Sequence, residues 1–210
     1  MKFYNELIDR IKNGIPTKLS RWGDGEWGCM YGVTGENRDG NKYLPEMGFS
    51  LRVILNSQPE YYMGLQYGVL YNEQLRDYVF GKIFKLDINW VNGDILHQAS
   101  EYRHLKKFTD ALRGRNVVVI GAEYFKILPY NHITIPESNS FLINLDLFRE
   151  LRLKPNDVVL VAAAMNSNVI IDRLPDNVTA IDIGSVFDPY LGRPRASYQY
   201  KMNVTLKDLF

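Results

Sequence analysis

Hydrophobic positions change their spacing along the chain, and the spacing predicts alternating helices and strands. Phe3, Leu7, Ile8 and Ile11 recur every three or four residues, the period of an amphipathic helix, and Asn13-Gly14 followed by Pro16 ends it. A short strand over 17–22 follows. Pro45 opens a second helix carrying Phe49, Val53 and Ile54, and Tyr61 to Gln66 reads as the next strand. Residues 73–85 and 100–113 keep helical periods, while the polar, glycine-bearing segment 34–42 reads as a loop. Farther on, Val117-Val118-Val119-Ile120 and Val158-Val159-Leu160-Val161 are continuous apolar runs, the pattern of parallel strands buried on both faces. His132 to Ile135 and Thr179 to Ile183 read as further strands, with helices over 140–151 and 167–174. This alternation predicts an α/β fold with a Rossmann-like, doubly wound, mainly parallel sheet. One domain over 1–210 is expected, with an acidic-motif half (1–115) and a βαβαβ half (116–210).

Ligands of such sheets bind beyond the carboxyl ends of the strands. Four of those ends are Gly121-Ala122-Glu123, Pro136-Glu137-Ser138-Asn139, Ala164-Met165-Asn166-Ser167 and Ile183-Gly184-Ser185. Small and hydroxyl residues there allow the backbone N–H groups of the next helix to face a phosphate. Ser138 and Ser167 are equally good ordinary N-caps. The exit of the first strand is richer: Arg21-Trp22-Gly23-Asp24-Gly25-Glu26-Trp27-Gly28 places two carboxylates around one glycine. Mg²⁺ is usually held by one or two carboxylates together with substrate phosphates, so this pattern suits a metal–diphosphate clamp. The alternative is an Asp-Gly turn whose acids are merely solvated.

Composition narrows the classes. Hydrophobic residues make up 46% and charged residues 23%, which suits a globular protein rather than a disordered one. A net charge of +1 argues against a surface dominated by nucleic-acid binding. The single cysteine, Cys29, cannot form an internal disulfide and reads as a small apolar filler. No run of 18 apolar residues is present, and Lys2, Glu6, Asp9 and Arg10 near the start do not read as a signal peptide. A cytoplasmic location is expected. His97, His104 and His132 lack metal-ligand spacing, so zinc is not expected. Trp22 and Trp27, and the group Tyr61, Tyr62, Tyr67 and Tyr71, suit either sugar stacking or ordinary packing. The segment Arg193-Pro194-Arg195 with Tyr198, Tyr200 and Lys201 reads as a solvated tail or as a grip on a phosphorylated or nucleic-acid acceptor.

Taken together, these segments resemble the GT-D type glycosyltransferases, a bacterial group with a Rossmann-like fold. Arg21-Trp22-Gly23-Asp24-Gly25-Glu26 is similar to that family's Arg-aromatic-Gly-Asp-Gly-Glu opening. Ile135-Pro136-Glu137-Ser138-Asn139-Ser140-Phe141 is similar to its Cys-Pro-Ala-x-Asn-Ala-Phe segment, and Ala180-Ile181-Asp182-Ile183-Gly184 to its Ala-Ile-Asp-Ile-Gly run. The stretch from Asp157 to Ala164, with Asn168, resembles its apolar strand and small-residue turn. Two segments differ: Glu123 to Pro129 lacks the family's glycines, and Ser185 to Tyr190 replaces a histidine and an acidic-aromatic cluster.

The resemblance implies sugar transfer from a nucleoside-diphosphate donor, a UDP-sugar foremost, with Mn²⁺ or Mg²⁺ held by Asp24 and Glu26. The expected donor contacts are Arg21, Gly23, Gly25, Ser138, Asn139, Asn166 and Ser167. Arg21 has the alternative of pairing with a surface acid. An inverting transfer needs a base for the acceptor hydroxyl. Asp188 is the first candidate, then Asp182 and Glu123, each just beyond a strand end. Asp182 also suits a buried structural carboxylate. The acceptor is expected to be a glycan. The alternatives are a hydroxylated base in DNA, or a nucleotide- or sugar-binding module without catalysis.

Overall fold

In the computed structural model of the chain, seven parallel strands form one sheet in the order β3-β2-β1-β7-β6-β4-β5. Residues 2–37, 39–72, 74 and 88–210 are described. The strands are β1 (Lys18–Trp22), β2 (Tyr62–Leu65), β3 (Trp90–Asn92), β4 (Val117–Gly121), β5 (Asn131–Thr134), β6 (Val158–Ala162) and β7 (Thr179–Asp182). The helices are α1 (Lys2–Lys12), α2 (Asp24–Met30), α3 (Pro45–Ser57), α4 (Tyr67–Leu70), α5 (Ile95–Glu101), α6 (Leu105–Ala111), α7 (Asn144–Glu150) and α8 (Asn166–Arg173). Every strand pairing described is parallel, so the sheet is wholly parallel among these strands.

Period-two alternation on the central strands builds a core on each face. Val117, Val119, Val158, Leu160, Ile181 and Ile183 point to one face, against α1, α5, α6 and the carboxyl-terminal segment. Ile120, Val159, Val161 and Ala180 point to the other, against α7 and α8. A third cluster joins Trp22, Met63 and Leu65 to α2 and α3. Burial on both faces is why these strands read as unbroken apolar runs.

Two sequence expectations change. The helix expected over 100–113 divides into α5 and α6 around Arg103, whose backbone is left-handed at φ 59°. Most helices turn at such a point through glycine, which is absent here. Apart from Gln74, the helix expected over 73–85 lies outside the described residues. No helix among the described residues is long and apolar enough to cross a membrane.

Candidate active site

The sheet itself creates the cleft. β1 pairs with β2 as far as Trp22↔Leu65, but with β7 only at Lys18↔Ala180 and Leu19↔Ile181. Beyond Leu19 the carboxyl ends of β1 and β7 separate, at the junction between the two halves of the sheet. Arg21 fills part of that gap. Its Nε donates to the Gly93 carbonyl at 2.8 Å, and its Nη2 lies 3.5 Å from Asp94 Oδ1. Facing it, Gly184 adopts φ +46° and donates its N–H to Asp182 Oδ1 at 2.9 Å. A Cβ at 184 would overlap Arg21 Nη1, so glycine is required both by conformation and by the guanidinium.

The acidic motif is the first turn of a helix rather than an open loop. Gly23 is the extended N-cap residue, and Asp24 begins α2. Glu26 turns back to accept the Gly23 N–H at 2.8 Å, and its other oxygen accepts from Asn168 Nδ2 at 3.2 Å. Asn168 also donates to the Arg21 carbonyl at 2.9 Å, while its own Oδ1 is buried without a hydrogen-bond partner. Glu26 is only 8% exposed. Burial pushes its carboxyl up to about 7, against the hydrogen bond from Gly23 and the attraction of Arg21. Asp24 is exposed to the cleft. Gly25 makes room for Met165, which would lie 2.9 Å from a Cβ there.

The cleft has two chambers. The first, about 240 Å³, is lined by Arg21, Gly23, Asp24, Gly25, Glu26 and Asp182, with Gln66 and Asp94 from the β2–β3 side. The second, about 160 Å³, lies toward β4 and β6 and is lined by Tyr124, Glu137, Ser185 and Arg195 among others. Arg21, Asp39, Ala164 and Gly184 line both. Asp39 belongs to the 34–42 loop, which is closed by a Glu36–Lys42 bridge and lashed across the cleft. Asn139 holds that loop through Lys42 N–H and the Asn41 side chain, and Arg195 pairs with Asp39.

Of the candidate bases, Asp182 lines the first chamber and is 4% exposed. Burial raises its carboxyl to about 6, while Arg21 and the Gly184 N–H pull it down. Asp188 lies beneath the second chamber with no exposed surface. Tyr124 donates to its Oδ1 at 3.2 Å, its Oδ2 makes no hydrogen bond, and Arg195 Nη1 is 3.8 Å from that oxygen. Burial pushes Asp188 up to about 7. Glu123 is exposed, paired with Lys126 at 2.7 Å, and lines neither chamber.

The expected donor contacts divide in the same way. Arg21, Gly23 and Gly25 line the first chamber. Ser167 is fully buried and accepts the Ala163 N–H, and Asn166 is locked to Asn144 and Ser140. Asn139, left-handed at φ 56°, holds the loop instead of facing the chambers. Ser138 lines neither chamber. The side chains of Asn139, Asn166 and Ser167 have polar atoms occupied by local hydrogen bonds.

Two contributors have positions the sequence did not reveal. His97 Nδ1 lies 2.8 Å from the Tyr198 hydroxyl, and burial followed by the Arg21 charge pulls its pKa down to about 3. A neutral imidazole thus backs Gly184 and tolerates the guanidinium. The segment expected to be a solvated tail is anchored: Gln199 is 1% exposed and donates to the Ser185 carbonyl at 2.8 Å. Trp22 and Trp27 stack on each other within the core, their ring centres 5.7 Å apart, and Trp22 also contributes to the wall of the first chamber. Tyr61 and Tyr62 stand at the start of β2, the opposite end of the sheet from the cleft.

The donor set suits a hard divalent cation. Asp24 presents an exposed carboxylate, and each Glu26 oxygen accepts one hydrogen bond and keeps a second lone pair. Among the described residues no group of three or more His, Cys, Asp or Glu forms a metal cage. A cation completed by waters and phosphates needs only one or two carboxylates.

The class is an α/β protein with a glycosyltransferase fold. The chain matches no family model and no curated protein. It superimposes on a solved structure described as the highly conserved domain of unknown function 1792, with a distinct glycosyltransferase fold. That match has a TM-score of 0.66 and 19% identity over 95% of this chain and 88% of the other. A structure described as a new glycosyltransferase (DUF1792) from Streptococcus sanguinis gives a TM-score of 0.65 and 13% identity, covering 96% of this chain and 91% of that one. At these identities the likeness is one of fold.

Proposed function

We propose that the chain is a metal-dependent glycosyltransferase, moving a sugar from a nucleoside-diphosphate donor, a UDP-sugar foremost, to a hydroxyl of a glycan. One observation carries this reading: Arg21 and the Asp24/Glu26 pair line a single cleft at the strand ends of a glycosyltransferase fold. Arg21, held by Gly93 and Asp94, offers its remaining N–H groups to diphosphate oxygens as charge-assisted hydrogen bonds. Asp24 with Glu26 would hold Mn²⁺ or Mg²⁺, whose charge offsets that developing on the departing β-phosphate. Asp182 is the carboxylate that takes the acceptor proton, since it alone of the three candidates lines the cleft. With a pKa near 6 it is ionised yet still basic at neutral pH. Asp188 instead positions Tyr124 and Arg195 from below.

A donor panel tests this reading. UDP-glucose, UDP-galactose, UDP-N-acetylglucosamine and GDP-mannose are incubated with Mn²⁺ or Mg²⁺, and release of the nucleoside diphosphate is measured. Metal-dependent release from at least one donor, stopped by EDTA, is the expected result. Binding without turnover would favour a non-catalytic module. Neither binding nor turnover of any donor would refute the reading.

A further inference from the structure

The second chamber has no part in donor activation as described, yet it shares Arg21, Asp39, Ala164 and Gly184 with the first. We propose that it is the acceptor subsite and takes an uncharged, hydroxyl-rich sugar, an inference that rests on the glycosyltransferase reading. A group seated there faces the donor chamber across a shared wall. That is where an attacking hydroxyl belongs.

Charge selects the class of acceptor. Two guanidiniums, Arg21 and Arg195, meet two carboxylates, Asp39 and Glu137, around the chamber. Arg195 is already ion-paired with Asp39 and lies 3.8 Å from Asp188. The neighbouring Arg193 is paired with Glu137 at 3.0 Å. The basic segment 193–195 is therefore neutralised within the protein, and it does not supply the surplus cations that a phosphate or a DNA backbone requires. The same residues present both donors and acceptors to hydroxyl groups, which suits a polyol. A nucleobase fits less well, because it seeks an aromatic face for stacking. The Tyr124 ring is stacked on Phe125 with centres 4.4 Å apart, and the Arg193 guanidinium sits 4.1 Å from its centre.

The test uses the donor identified by the panel and, as acceptors, the methyl glycosides of glucose, galactose and N-acetylglucosamine. Glycerol 3-phosphate and a 5-hydroxymethylcytosine oligonucleotide represent the charged classes. Glu137→Gln removes one carboxylate whose partner is a half-exposed ion pair, so folding is not at stake. Ser185→Leu fills the chamber without changing charge. Both variants are expected to raise the KM for a sugar acceptor at least tenfold while the Kd for UDP shifts less than twofold. Unchanged acceptor KM in both variants overturns the proposal. A large loss of UDP affinity overturns it too, since the nucleoside would then occupy the chamber. Donor hydrolysis with transfer to no sugar, or preferential transfer to either charged probe, overturns the assigned class. A parent protein that neither binds nor hydrolyses any donor fails at the earlier step, and the glycosyltransferase reading falls with the subsite.

Discussion

Gly184→Ala separates the two demands that the cleft makes on one residue. At φ +46° an alanine pays roughly 1–2 kcal/mol for the left-handed conformation. Its Cβ would also overlap Arg21 Nη1, so the guanidinium must move. Arg21 is tethered to the Gly93 carbonyl at 2.8 Å, and a hydrogen bond from a charged group contributes about 1.5–3 kcal/mol. Arg21 is partly exposed, which favours the lower end of that range. The expected total destabilisation is about 3 kcal/mol. Gly192→Ala supplies the control. Gly192 has φ +72° with nothing within 4 Å of a Cβ, so it carries the backbone term alone. Urea denaturation followed by circular dichroism should place Gly192→Ala between the parent and Gly184→Ala. Titration calorimetry with UDP and Mn²⁺ should show at least a tenfold weaker Kd for Gly184→Ala, about 1.4 kcal/mol, and no change for Gly192→Ala. If Gly184→Ala binds UDP like the parent, Arg21 does not hold the diphosphate. If both variants lose affinity equally, backbone strain rather than the displaced guanidinium is responsible.

Asp24→Asn and Glu26→Gln should each remove the Mn²⁺-dependent part of UDP binding while circular dichroism stays at the parent spectrum; parental metal-dependent affinity in either variant would contradict the clamp. Asp182→Asn should lower transfer by about 10²–10⁴-fold with UDP affinity kept within threefold, and equal turnover would remove Asp182 from the role of base. For stability against pH, Asp188 and Asp182 have folded-state pKa values raised to about 7 and about 6, so their contribution is full at low pH and is lost as pH rises through those values. His97, lowered to about 3, contributes above its ordinary pKa near 6.5 and loses that contribution only as pH falls below it. From pH 8 to 7 these carboxylates, with Glu26 also raised to about 7, take up protons in the folded state before the unfolded-state histidines (pKa near 6.5) do. The urea midpoint of the metal-free protein should therefore rise as pH is lowered across that window; no rise would show that they are ionised in the folded state.

The strands were legible where burial on both faces leaves one chemical signature. Val117 to Ile120 and Val158 to Val161 could be little else, and they are β4 and β6. The break at Arg103 was invisible because a left-handed residue other than glycine carries no local signal. The acidic motif drew notice for its two carboxylates, while its helical geometry was not legible. Three glycines suggest a loop, yet Glu26 satisfies the Gly23 N–H and starts a helix. Asn168, His97 and the pairing of Arg195 with Asp39 are relations between segments far apart in the chain. Periodicity within one segment holds no record of them. Asp188 drew notice as an acid beyond a strand end, but whether such an acid opens to the cleft or lies beneath it depends on packing by Tyr124 and Arg195.

The balance of charge in the first chamber bears on the proposed cation. Among the described residues, five carboxyl groups, Asp24, Glu26, Asp39, Asp94 and Asp182, line it with the guanidinium of Arg21. Three of the five are partly neutralised by the protein. Asp94 faces Arg21, Asp39 is paired with Arg195, and burial raises Glu26 to about 7, so its charge is partly lost at neutral pH. Asp182 and the exposed Asp24 remain, and together they outweigh one arginine already engaged at Gly93. A diphosphate brings further negative charge into this field, and like charges at close range in a partly desolvated cleft repel strongly. Arg21 alone does not reverse that sign. On the proposed function, a divalent cation held by Asp24 and Glu26 would offset that charge and would favour the ionised form of Glu26. On that reading the acids that would repel a bare nucleotide would favour its metal complex in this chamber.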